Sequence, residues 1–246
     1  MKSVVAFLIL VFMVQQQSFK ETQLKNARVK TAYREKESRV KKMFEEKSFS
    51  FEGFQLFIRA FKKEEKLEVW VKERGKDKFS LLHTYDFCTT SGTLGPKRKE
   101  GDLQIPEGVY FINHFNPVSS FYLSLGLNYP NASDKILSDK AQPGGNIYIH
   151  GNCVTIGCIP ITDEKIKELY VLAVEARNNG QKNIPVHVFP AKLDESGLRN
   201  LKVRYADTPK LISFWKNLKT IHDSFESSKK LPKIDVNSKG EYEIND

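Results

Sequence analysis

The chain has 246 residues, 40% hydrophobic and 28% charged. That balance suits one globular domain with a core of its own and excludes a polytopic membrane protein. The net charge of +9 draws the chain toward polyanions (nucleic acid, anionic lipid or anionic wall polymer), but no recognised nucleic-acid motif is present, so nucleic acid is not an expected partner.

Lys2 followed by the apolar run Val4–Val14 and then Gln15-Gln16-Gln17-Ser18 predicts a signal peptide or N-terminal anchor over residues 1–17. The run suits an h-region and is short for a membrane span. No small-residue cleavage site is clear, and an uncleaved segment would tether the chain to a membrane; either way, the rest is expected to be exported to the periplasm or cell envelope. No Cys follows the run, so lipoprotein anchoring is not supported. Residues 18–50 read as a basic helical arm. Ten Lys/Arg stand against five Glu over 19–50, a surplus of five charges. Val29, Tyr33, Val40 and Phe44 recur near a helical period, yet the composition favours a solvated spacer.

Residues 51–190 carry the expected core. Phe54–Phe61, Leu67–Lys72 and Phe79–Cys88 read as strands joined by polar turns. Ser91–Glu107, with Gly92, Gly95, Pro96, Gly101 and Pro106, reads as a long basic loop. Its Lys97, Arg98 and Lys99 are candidates for binding a carboxylate, and a solvated loop is the plainer reading. Short strands follow at Val109–Asn113 and Phe121–Leu125, and Tyr129–Gly145 is a second loop. Ile147-Tyr148-Ile149 is a short strand that delivers His150. A helix is expected over Asp163–Asn178, with Thr162 as its N-cap and Asn179-Gly180 as its stop. Pro185–Pro190 is a last strand. Residues 191–226 form a C-terminal helical extension whose apolar face is Leu211, Phe214, Trp215, Leu218, Ile221 and Phe225. Residues 227–246 read as a flexible, polar tail. The pattern is mainly β (α+β) with flanking helices and lacks the alternation of a doubly wound sheet.

The chemistry concentrates in Ile147–Asp163. An imidazole leaves a strand at His150, and a thiol preceded by glycine follows at Cys158. A Cys–His pair is what thiol acyl transfer needs: the histidine removes a proton, the thiolate attacks a carbonyl, and the histidine returns a proton to the leaving amine. Gly157 permits a tight bend, and the amides of Gly157 and Cys158 are candidate oxyanion donors, worth roughly 3 kcal/mol each in known cases. Three cysteines in an exported chain is an odd count. A Cys88–Cys153 disulfide would leave Cys158 free, and a Cys153–Cys158 bridge that blocks the nucleophile is the rival. His150, Cys153 and Cys158 offer only three close ligands at an unusual spacing, so no metal is expected. No nucleotide-binding pattern appears and no cofactor is expected. His83, His114, His187 and His222 read as structural or exposed. Tyr122, Tyr148, Asn152 and Thr155 are substrate-binding candidates, with packing the commoner role for the two tyrosines.

These residues resemble a known family. Ser91–Lys97, Glu100-Gly101-Asp102, Pro106–Tyr110, Phe121–Leu125 with Tyr129-Pro130-Asn131, and His150–Asp163 are similar to the YkuD-type L,D-transpeptidase catalytic domain, and within it to the YafK-like murein branch. The resemblance spans about residues 54–190. It implies a β-sandwich catalytic domain in which Cys158 is the nucleophile, His150 the base and the Gly151 carbonyl the group that orients the imidazole. The implied partner is a peptidoglycan stem peptide, cut at the L-centre of a diamino acid joined to a terminal D-alanine. The wider family carries Ser/Thr-His-Gly-Cys at the nucleophile, whereas this chain reads Thr155-Ile156-Gly157-Cys158, a departure the branch shares. At least one branch member is similar to an amidase, so a hydrolase acting on the same bond is the alternative to a transferase. A wall-binding module without turnover is the alternative of another class.

Overall fold

The computed structural model describes residues 17–245; the apolar run at Val4–Val14 lies outside them. Two arm helices lead, α1 (Phe19–Gln23) and α2 (Ala27–Glu45). Strands β1 (Gln55–Phe61), β2 (Lys66–Lys72) and β3 (Ser80–Asp86) follow, then β4 (Gly108–Asn116), β5 (Ser124–Leu127), the short helix α3 (Ala132–Leu137), β6 (Tyr148–His150) and β7 (Ile159–Pro160). Helix α4 (Asp163–Asn178), β8 (Ile184–Phe189), helices α5 (Glu195–Arg204) and α6 (Pro209–Ser228), and strands β9 (Lys233–Val236) and β10 (Tyr242–Asn245) complete the chain.

Eight strands form one large curled sheet in the order β3-β2-β1-β8-β4-β5-β6-β7. The expected two-layer packing of strands is thus carried by a single continuous sheet, with helices on its faces. Strand β1 explains why. Leu56, Ile58 and Ala60 enter the core shared with α2 and α4, while Phe57 and Phe61 join the clusters that contain Phe225, Trp215 and Leu218 of α6. Both faces are covered, so the strand reads as an almost unbroken apolar run instead of an alternating one. Strand β8 runs parallel to β1 and antiparallel to β4.

The arm differs from the solvated spacer its composition suggested. Val29, Ala32, Tyr33, Val40, Met43 and Phe44 are buried against the same core as α4. Its charges face those of α4: Lys20 meets Glu175 at 2.6 Å and Lys36 meets Glu164 at 2.7 Å. Two of the arm's lysines are thereby matched across the fold.

The tail also differs from expectation. β9 and β10 pair as a hairpin, and Tyr242 is buried. Its hydroxyl accepts the Val109 N–H at 3.2 Å and a bond from Asn131 Nδ2 at 2.9 Å. One amphipathic aromatic is enough to dock an otherwise polar segment. Strand β5 begins three residues later than the apolar run suggested, because Tyr122 takes a φ of +71° and turns the chain. Thr162 is not a side-chain cap for α4: its φ is +75° and its hydroxyl makes no capping bond.

Candidate active site

Strands β6 and β7 pair in parallel, with Ile149 opposite Ile159 and His150 opposite Pro160. The chain leaves β6 at His150 and returns through Cys158 into β7, so strand pairing brings the imidazole and the thiol to one end of the sheet. Cys88 and Cys153 are joined as a disulfide, with Cα atoms 5.4 Å apart, and Cys158 is the free cysteine. The Cys88 N–H donates to the Pro160 carbonyl at 2.8 Å, so the chain just past β3 is tied to β7 and, through the disulfide, to the loop before the thiol.

His150 is 1% exposed. Its Nδ1 is hydrogen-bonded to the Gly151 carbonyl. A carbonyl only accepts, so Nδ1 carries the proton and Nε2 holds the lone pair. Nε2 is buried and has no partner. Phe121 stacks on the ring with centroids 4.5 Å apart and planes 25° apart. Burial lowers the imidazole's pKa, and the Gly151 carbonyl acts in the opposite sense. Burial raises that of the Cys158 thiol, opposed by the Tyr148 backbone and the Lys97 ammonium. Both shifts favour the uncharged forms. The thiol faces the Asn146 carbonyl, with Sγ 3.6 Å from the oxygen.

The loop between them is closely held. Gly151 leaves no room for a side chain, since a Cβ there would lie 2.8 Å from the Phe121 carbonyl oxygen. The Asn152 N–H donates to Asp163 Oδ1 at 2.7 Å. Gly157 has a φ of +139°, and a Cβ there would sit 3.0 Å from the Gln104 carbonyl oxygen. The candidate oxyanion donors are engaged: the Gly157 and Cys158 amides both donate to Thr155 Oγ1, at 3.1 and 2.8 Å. Thr155 Oγ1 in turn donates to the Cys158 carbonyl at 2.8 Å. A hydroxyl two or three residues back is the nearest acceptor for such amides, and it must yield before an oxyanion can use them.

The other candidates scatter. Tyr148 sits beside the thiol through its backbone. Tyr122 lies between Arg28 and Lys167, 5.6 and 6.0 Å from its ring centroid, on the side of the arm. Asn152 is exposed, with a φ of +59°. The 91–107 loop is not the solvated basic segment its composition suggested. Lys97 is 4% exposed and donates to Asp102 at 2.7 Å. Asp102 also accepts the Arg98, Lys99 and Gln104 amides. Farther back, Lys62 pairs with the fully buried Glu107 at 2.9 Å. Sequence reasoning missed Phe121, which it placed in a strand, and the Asp163 carboxylate, which it treated as a helix-start charge. An acid on the first turn of the helix after the motif was the available signal for Asp163.

Residues 57–188 match the family description of YkuD, the L,D-transpeptidase catalytic domain. Over 186 residues the chain is 33% identical to YafK of Escherichia coli strain K12, an L,D-transpeptidase by provisional name, a match covering 75% of this chain and 72% of that one. Among solved structures, the helical cell shape determining protein Pgp2 of Campylobacter jejuni is similar with a TM-score of 0.45 at 21% identity, over 75% of this chain and 73% of that one. Bd1075 of Bdellovibrio bacteriovorus is similar with a TM-score of 0.41 at 23% identity, over 71% and 62%. A domain match across more than half the chain, joined to a relative of this identity over nearly three quarters of both proteins, shows that the chain belongs to the L,D-transpeptidase catalytic-domain (YkuD) family.

Proposed function

We propose that this chain is an exported cysteine acyltransferase acting on peptidoglycan stem peptides. His150 Nε2 takes the Cys158 proton, and the thiolate attacks the carbonyl at the L-centre of the diamino acid. The tetrahedral intermediate collapses to a thioester, and the imidazolium gives its proton to the departing D-alanine amine. An acceptor amine then attacks the thioester, giving up a proton to His150 and restoring the thiol. The observation that carries this reading is a buried imidazole with Nδ1 fixed on a carbonyl and Nε2 unpartnered, on the strand that pairs with the one the free thiol leads into. The Cys88–Cys153 pair supports an oxidising compartment, as does the apolar N-terminal run.

A hydrolase using the same dyad is the second reading. Ile156 stands where the wider family carries a histidine, and at 78% exposure it offers no proton-transfer group to an incoming amine. The test is mass spectrometry of tetrapeptide muropeptides incubated with a D-amino acid and either the full chain or its Cys158→Ala variant. Exchanged or crosslinked products from the parent alone establish a transferase. Shortened peptides without exchange establish a hydrolase. No product from either protein overturns both readings and favours a binding module.

A further inference from the structure

We infer that Arg28, on the N-terminal arm, is a positioning residue for the His150 imidazole, acting through the turn at residues 119–122. The proposed function enters only in naming what that imidazole does; the contacts stand without it. Asn26 caps α2 by accepting the Arg28 N–H at 2.9 Å, which fixes where the arginine leaves the helix. Arg28 Nη1 then donates to two carbonyls, Ser119 at 2.6 Å and Tyr122 at 2.7 Å. Those carbonyls bracket Phe121, the residue stacked on the imidazole. The Phe121 N–H donates to Ser119 Oγ at 3.1 Å, closing the turn from within. The segment also meets the other side of the site, because the Leu123 carbonyl accepts the Gly151 N–H at 3.2 Å.

The turn needs an external hold. Tyr122 has a φ of +71°, a conformation that is unfavourable for an aromatic residue and persists only where surroundings enforce it. A guanidinium bonded to the carbonyls on both sides of Phe121 supplies that enforcement. The arm thereby reaches the centre of the site, about 120 residues downstream, through one side chain.

The charges around the ring leave the stack as the means of control. Asp163 on α4 is turned onto the Asn152 amide. Lys167 on α4 is paired with Glu35 at 2.6 Å and with Glu164. Arg28 faces carbonyls, and the Cys158 thiol is directed at Asn146. Burial is the dominant influence on the imidazole, so a ring that leaves it exposes it to water and raises its proton affinity.

The test is a proton–carbon NMR titration of His150 in the full chain, its signal assigned with His150→Gln. Parent, Arg28→Ala, Arg28→Lys, Phe121→Ala and the Arg28→Ala/Phe121→Ala pair are compared. Arg28→Ala and Phe121→Ala should each raise the midpoint by about half a unit, a threefold gain in proton affinity. Arg28→Lys should stay closer to the parent. The double variant should move no further than Phe121→Ala, as for residues acting in series. A parent-like midpoint in Arg28→Ala overturns the inference, as does a parent-like midpoint in Phe121→Ala or a double variant that sums both shifts. If Arg28→Ala does not fold, Arg28→Gln takes its place under the same criteria. No turnover is measured, so failure of the acyl-transfer reading leaves this result interpretable.

Discussion

At Cys158 and His150, burial raises one pKa and lowers the other, so the resting pair is a neutral thiol beside a neutral imidazole. A preformed thiolate–imidazolium pair would need the opposite shifts. Alkylation of Cys158 by iodoacetamide should therefore climb with pH through a midpoint above that of an ordinary thiol. A reactivity plateau already reached below pH 7 would contradict this. His187, buried in β8 with an unpartnered Nδ1, is pushed down to about 3 by burial and the Arg59 charge. The unfolded chain therefore binds the extra proton first, and stability falls as pH drops from about 6.5 toward 3, by roughly 1.4 kcal/mol per unit. Asp134 acts in the opposite sense. Burial raises its pKa to about 6, so the folded state holds the proton and gains as pH falls from 6 toward the ordinary carboxylate value. The two offset each other through mildly acidic pH. Denaturant unfolding of His187→Leu against the parent should show the variant gaining at that slope below pH 6.5, and parallel curves would exclude the assignment. His150 and Cys158 were legible as a candidate pair because they flank one short loop. Lys97 was not, since its burial depends on Asp102 folding back beneath it.

The elements that hold the site show the same division between local and distant causes. The alternation in β2 and the apolar face of α4 declare themselves in a few residues, and both elements form where they were expected. The turn at Phe121–Tyr122 does not: a positive φ at an aromatic residue is imposed by Arg28 from far away in sequence, and read locally the segment looks like a strand. The fate of the Gly157 and Cys158 amides is settled by Thr155 within the same turn, but a side-chain rotamer leaves no periodic signature. The disulfide also restrains this region, linking residues 65 apart in sequence. On the chain-entropy account such a loop contributes about 4 kcal/mol. The Cys88→Ser/Cys153→Ser variant should melt several degrees lower than the parent by calorimetry, with Cys158 alkylating faster because the 151–158 loop is released. An unchanged melting temperature together with unchanged alkylation would show that the bridge restrains nothing.

For the whole molecule, the arm is part of the core. Removing residues 17–50 would strip Val29, Tyr33, Val40, Met43 and Phe44 from α4 and the sheet, at about 1.5–3 kcal/mol for each large side chain buried. That total, roughly 7.5–15 kcal/mol for the five, is as large as the 5–15 kcal/mol by which domains are commonly stable. The truncated chain should therefore be insoluble or molten by circular dichroism and dye binding, while the full chain is folded. A soluble truncation with native near-ultraviolet dichroism would refute this. Composition concealed the arm's role because its many lysines and arginines suggest solvent, whereas the partners of Lys20 and Lys36, namely Glu164, Glu168 and Glu175, lie on a helix more than a hundred residues away. The single sheet was hidden for a similar reason, as nothing local reveals that β8 inserts between β1 and β4.

That insertion dictates an order of assembly. Strands β1–β3 can pair as they are made, and so can β4–β7, but strand pairing links the two groups only through β8, which joins β1 at Ile58–Phe61 and β4 at Gly108–Ile112. Until β8 arrives, both groups present an unpaired inner edge, the kind of surface on which chains adhere to one another. The sheet must close in one late step that draws together segments more than a hundred residues apart, which makes for slow folding. Crowding of newly made chains is thus most hazardous in the interval between synthesis of β1 and synthesis of β8.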